Sequence, residues 1–197
     1  MKPTCTLLPG AHMIRLRYEG ATTYEQWAEV LEAALADPAR EQEVDLLLDR
    51  RGIIEPPTTR TVQRAVDFFD RHHSEIRRVA SVVEDGAVYG MFRMLESLSE
   101  SIAVPVRAFK TYEAATDWLG ESVATALAGE IMADSGTSYD QWSIERLRDG
   151  QALLEQLHRA GNVPDGSTPE HWYLEVTREL ARLKAVLARR RSAGEDE

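Results

Sequence analysis

The chain has 197 residues, 43% hydrophobic and 28% charged, with a formal net charge of −10. That is the composition of an ordinary globular protein able to bury a core. The acid excess is shared by both halves, which argues against nucleic-acid binding through a basic face.

Cys5 is the single cysteine, so no intrachain disulfide can form, which suits a reducing compartment. No apolar run reaches the roughly 20 residues of a membrane span. The residues after Lys2 lack the apolar stretch of a secretory signal. A cytoplasmic protein with no stable membrane insertion is expected.

In chain order, Thr4 to Leu8 is β-prone and Pro9-Gly10 is a turn. Met13 to Tyr18 alternates, with Ile14, Leu16 and Tyr18 on one side and Arg15 and Arg17 on the other. The two pieces predict a hairpin. Gly20 ends the second strand. Thr22 and Glu25 have capping-box spacing, and Trp27, Val30, Leu31, Ala34 and Leu35 follow at helical spacing until Asp37-Pro38 stops the helix.

Val44-Asp45-Leu46-Leu47-Leu48-Asp49 is the centre of the chain. Three leucines bounded by acids, closed by Gly52 and Pro56-Pro57, predict a strand covered on both faces. Thr58 or Thr59 caps the next helix, whose inner face is Val62, Ala65, Val66 and Phe69; His72-His73 lie near its end. Val79 to Val83 is another apolar strand. Gly86 opens a helix carrying Val88, Met91, Phe92, Leu95 and Leu98. Val104 to Phe109 is the last strand, and Pro105 suits a sheet edge. A short helix with Ala115, Trp118 and Leu119 follows.

The order β-β-α-β-α-β-α-β-α predicts an α/β domain with a mostly parallel sheet over residues 1–120. Residues 121–197 carry no strand signal. They predict a helix over 121–133, a loop over 134–138 and two longer helices, 138–160 and 168–191, in an antiparallel hairpin. Ser138 with Gln141 has capping-box spacing, Gly161 to Gly166 reads as the turn, and Thr168-Pro169-Glu170 is a helix start. A two-helix hairpin cannot bury both stripes by itself. They need the first domain or a second copy, and a two-fold homodimer through these helices is expected.

The Met13–Tyr18 strand with Gly20, Leu46-Leu47-Leu48-Asp49 with Gly52, Arg78 to Val83, and Val106 to Phe109 followed by Glu113-Ala114-Ala115 and Trp118-Leu119 together resemble the STAS fold. STAS domains occur in sulfate transporters and anti-sigma-factor antagonists. The closer likeness is to bacterial STAS-like proteins classed with CRAL-TRIO lipid carriers. The resemblance spans about residues 4–120. It implies a five-stranded mixed sheet flanked by helices, here followed by an all-α extension. It also implies a non-catalytic regulatory or protein-interaction module, or a carrier or sensor of a lipid or other small apolar ligand.

In the antagonists a strand-ending Asp precedes a loop and an Asp-Ser-Ser-Gly tetrad whose serine is phosphorylated. Asp49 matches the first acid and Pro57-Thr58-Thr59-Arg60 occupies the tetrad, without its Asp or Gly. Thr58, with Thr59 beside it, is thus the candidate phosphoacceptor.

Ligands gather at strand carboxyl ends in open α/β sheets, which points to the stretch from Asp49 to Thr59. Arg50, Arg51 and Arg60, near a helix start, are the anion-binding candidates. Met91, Phe92 and Met94 are the candidate lining of an apolar pocket. Adjacent His72 and His73 do not share a helix face. No nucleophile elbow, phosphate-binding glycine loop or metal-ligand spacing is present, so neither catalysis, a metal nor a cofactor is expected. Asp45 and Asp49 have no acid-base partner in the sequence.

Overall fold

The computed structural model describes residues 3–8, 12–18, 20–40, 43–51, 56–83, 86–120, 131, 139–160 and 169–194, a few of them by backbone alone. The expected turns at Pro9-Gly10, Gly52 and Gly161 to Gly166, the loop 134–138, most of the helix 121–133, and the Ser138 and Thr168 caps lie outside the described residues. The chain divides into two compact units, Met1–Leu119 and Gly120–Glu197.

The first unit is a five-stranded sheet in the order β1-β2-β3-β4-β5. The strands are β1 (Thr4–Leu8), β2 (Met13–Arg17), β3 (Val44–Asp49), β4 (Ile76–Val82) and β5 (Val106–Phe109). β1 is antiparallel to β2, with Thr4 opposite Arg17 and Leu8 opposite Met13. All other pairs are parallel. The helices are α1 (Tyr24–Leu35), α2 (Thr59–Arg71), α3 (Gly86–Ser99) and α4 (Tyr112–Leu119). This is the expected mixed sheet with flanking helices.

Strand periodicity assigns the two faces. Ile14, Leu16, Leu46, Leu48 and Val79 join one buried cluster with Trp27, Leu31, Val66, Phe68, Phe69, Phe92 and Leu95. So α1, α2 and α3 cover that face. α4 packs against β3, β4 and β5, and takes the alternate residues. All six β3 residues are buried, which includes two acids that the sequence reading set at the strand's borders.

Asp45 is held there by paired guanidinium bonds. Arg77 donates from Nε at 2.9 Å and from Nη2 at 2.6 Å, and Arg78 from Nε at 3.1 Å and Nη2 at 2.6 Å. Arg78 also donates to the carbonyls of Trp118 and Leu119 at 3.0 and 2.6 Å. One arginine therefore neutralises a buried acid and satisfies the end of α4.

Several boundaries differ from expectation. The α1 cap is Thr23 rather than Thr22: its hydroxyl accepts from the Gln26 amide at 3.3 Å, while the Gln26 side chain accepts from the Thr23 amide at 3.1 Å. Gln26 completes the box as well as an acid does. β4 starts at Ile76 rather than Val79, because pairing with β3 begins as soon as the turn after α2 ends: the Val44 amide donates to the Glu75 carbonyl at 2.9 Å. β5 starts after Pro105, whose carbonyl accepts from Val79 at 2.9 Å, and it is an edge strand as that proline requires.

In the second unit a 3-10 turn (Tyr139–Gln141) precedes α5 (Ile144–Ala160) and α6 (Pro169–Ser192). α5 begins later than residue 138 because Ser143 caps it, accepting from the Arg146 amide at 3.1 Å. The two helices pack together. Leu147, Leu153, Leu154, Leu157, Trp172, Val176, Leu183, Val186 and Leu187 are buried. A Lys184–Glu155 ion pair of 2.8 Å links the helices. Buried Glu179 interrupts the α6 stripe; it accepts from the Tyr139 hydroxyl at 2.6 Å and from Arg182 at 3.0 Å. These stripe residues are buried in the single chain.

Candidate functional site

Tyr18 and Arg50 are the first residues beyond β2 and β3. Their backbones extend the ladder: the Tyr18 amide donates to Asp49 at 3.0 Å and the Arg50 amide to Val82 at 2.9 Å. Side chains alternate along a strand. Tyr18 is in phase with Ile14 and Leu16, and Arg50 with Leu46 and Leu48, so both turn to the face covered by α1, α2 and α3.

There they border a cavity of about 480 Å³ at the carboxyl ends of β2 and β3. Its walls come from the starts of α1 and α2 and from Phe92 and Leu95 of α3. Gly20 turns the chain towards α1 with φ of +86°, a backbone conformation that a side chain at that position would strain. Thr58 caps α2, accepting from the Thr61 amide at 3.2 Å, and lies on the cavity rim. Across the rim Arg64 pairs with Glu25 at 2.6 Å and lies 3.8 Å over the Tyr24 ring. The Tyr24 hydroxyl donates to the Arg64 carbonyl at 3.2 Å, tying α1 to α2.

The Arg50 guanidinium is caged by rings. Its central carbon lies 4.4 Å from the Tyr18 centroid, 4.8 Å from Phe92 and 5.9 Å from Trp27. Its buried Nε has no hydrogen-bond partner. The Tyr18 hydroxyl and the Trp27 indole nitrogen, on side chains each 3% exposed, also lack one. Burial pushes the Tyr18 phenol up to about 12; Arg50 and the nearby Trp27 N–H counter only part of that shift, and the Tyr18–Trp27 approach falls short of hydrogen-bond geometry. The phenol therefore stays protonated and able to donate. Burial likewise pulls the Arg50 pKa down, although a guanidinium remains charged at neutral pH.

The three candidate arginines are separated. Arg50 faces the cavity. Arg51 falls on the opposite face, where its Nε and Nη2 donate to Asp49 at 2.9 and 2.7 Å and its guanidinium lies 5.3 Å from the Tyr112 ring. Asp49 thus occupies the Arg51 fork, with Arg17 at 3.9 Å. Arg60 is exposed in the first turn of α2. Thr58 and Thr59 are both exposed. Phe92 lines the cavity, whereas Met91 and Met94 are half-buried against the core and are not among its lining residues. Sequence reasoning placed Tyr18 and Trp27 in the core and missed them as site residues. The available signal was their polar tips: a buried Tyr or Trp needs a partner for its O–H or N–H. Among the described residues no group of three His, Cys, Asp or Glu side chains is gathered as for a metal ion. None of the described helices is long and apolar enough to cross a membrane.

A mixed five-stranded sheet with a β1–β2 hairpin and three parallel βαβ steps is the architecture of a STAS-type domain. The SpoIIAA-like family profile matches residues 13–120, more than half of the chain, and the chain belongs to that family. A solved structure from Shewanella loihica PV-4, described as an uncharacterized protein from the DUF3478 family with a SpoIIAA-like fold, is similar at 20% identity. The match has a TM-score of 0.37 and covers 54% of this chain and 82% of that one. No curated protein matches.

Proposed function

We propose that this STAS-type domain is a non-catalytic regulatory module that works by holding a small, largely apolar ligand, as a carrier or sensor. The observation that carries the reading is the cavity beside Tyr18, Trp27 and Phe92. Its size falls in the range of small-molecule sites, and apolar walls with a few polar groups are what such sites share. Protein partners then read the loaded or empty state at the rim, where the starts of α1 and α2 meet. A cytoplasmic location suits the unpaired Cys5.

The uncharged probe N-phenyl-1-naphthylamine tests this. Ala65 lines the cavity from α2, so Ala65→Trp fills it. The reading expects fluorescence enhancement with the wild type and its loss in Ala65→Trp at an unchanged melting temperature. Equal enhancement in both proteins contradicts the cavity as the binding place.

Exposure of Thr58 on the same rim supports a second layer of control by phosphorylation. A phosphate there adds negative charge at the start of α2, near Arg60. Thr58→Glu is expected to change probe affinity several-fold relative to Thr58→Ala, which loses the same cap hydroxyl without adding the charge. Unaltered affinity removes the switch.

A further inference from the structure

We infer that the cavity selects ligands bearing a single carboxylate on an apolar body, with Arg50 as the anchor for that carboxylate. This rests on the cavity being a ligand site. It adds what the ligand must carry.

Charge accounting among the lining residues decides the head group. They include three that carry full charge at neutral pH: Arg50, Arg64 and Glu25. Arg64 and Glu25 neutralise each other at 2.6 Å. Among the described residues Arg50 is left with no carboxylate, and its hydrogen-bonding Nε is buried. Aromatic faces stabilise a cation from the side but accept none of its in-plane N–H bonds. The Tyr18 hydroxyl and Trp27 N–H are two further buried donors in the same wall. Three donor groups and one net positive charge suit one carboxylate, whose two oxygens accept from a guanidinium fork and from a neutral donor. A dianionic phosphate would carry one charge more than the wall supplies. Phe92, Leu95, Val62 and Ala65 offer nothing polar beyond that head, and the lining threonines Thr23, Thr58 and Thr61 are engaged at the helix starts, so the remainder of the ligand is apolar.

Calorimetric titration of the full chain with octanoate, 1-octanol and octyl phosphate tests the inference. Octanoate is expected to bind at least about tenfold more tightly than 1-octanol, the scale of one charge-assisted hydrogen bond. Arg50→Met should bring octanoate down to the octanol level and leave octanol unchanged. Tyr18→Phe, which keeps the ring and loses the donor, should weaken octanoate several-fold and octanol not at all; it decides the matter should Arg50→Met fail to fold. Equal wild-type affinity for octanoate and octanol, or selectivity that survives Arg50→Met, overturns the carboxylate anchor and leaves the apolar cavity standing. Tighter binding of octyl phosphate than octanoate overturns the single-charge argument. Failure of all three to bind removes the ligand site itself.

Discussion

Asp45 is a fully buried charged group and Arg50 a partly buried one, and they differ in what surrounds them. Burial pushes the Asp45 carboxyl up, but bonds from Arg77 and Arg78 and their charges outweigh it and hold the group below its ordinary value. A folded pKa below the unfolded one stabilises the fold above about pH 4, the unfolded value. That contribution is lost as pH falls through the folded pKa. Asp45→Asn should therefore cost about 3 kcal/mol in urea unfolding at pH 7, the lower range for breaking a buried pair because both arginines reach solvent. The gap between the two proteins should narrow below pH 4; a constant gap contradicts the assignment. Tyr18 runs the other way. Its folded pKa of about 12 lies above the unfolded value of 10. Stability from the neutral phenol is complete below pH 10 and lost as pH rises towards 12. Alkaline titration at 295 nm should show a late component that is lost in Tyr18→Phe. The sequence shows Asp45 but not its partners, because Arg77 and Arg78 lie some thirty residues away. Arg50 was more legible: it continues the phase of Leu46 and Leu48 and so had to face the helices.

Helix starts set the shape of the site. Thr23 and Thr58 each accept an amide hydrogen at the beginning of their helices, and both helices open onto the cavity. Thr58→Ala should destabilise the chain by about 1 kcal/mol, the usual worth of such a cap, measured by thermal or urea unfolding. A loss near zero indicates that the Thr58 cap is unformed in solution. Cap residues are local, and α2 was placed correctly from the Thr-Thr pair. At α1 two adjacent threonines competed, and a carboxylate three residues after Thr22 outranked the amide after Thr23. The apolar phase of α3 marked Phe92 as inward. Its place in a cavity wall depends on where the backbones of β2 and β3 end, which no local pattern records.

Across the whole molecule, the alternation of strands and helices made the first unit readable, because a parallel sheet needs a covering helix between strands. The second unit was readable as helices. Its stripes are buried within one chain, and among the described residues Leu174 is the large apolar side chain left well exposed on α6, at 64%. A homodimer through these helices remains our proposal, now resting on that face. Sedimentation of the full chain at tens of micromolar should give a dimer that Leu174→Glu converts to a monomer; a wild-type monomer ends the idea.

The central claim, a ligand held against Trp27 at the sheet's carboxyl end, is tested most directly by nuclear magnetic resonance. The chain has four tryptophans, hence four indole N–H signals, and Trp27→Phe identifies the one in the cavity. Adding octanoate to saturation should shift the Trp27 signal and leave those of Trp118, Trp142 and Trp172 in place. A Trp27 signal that stays fixed, or four signals that move alike, contradicts the account.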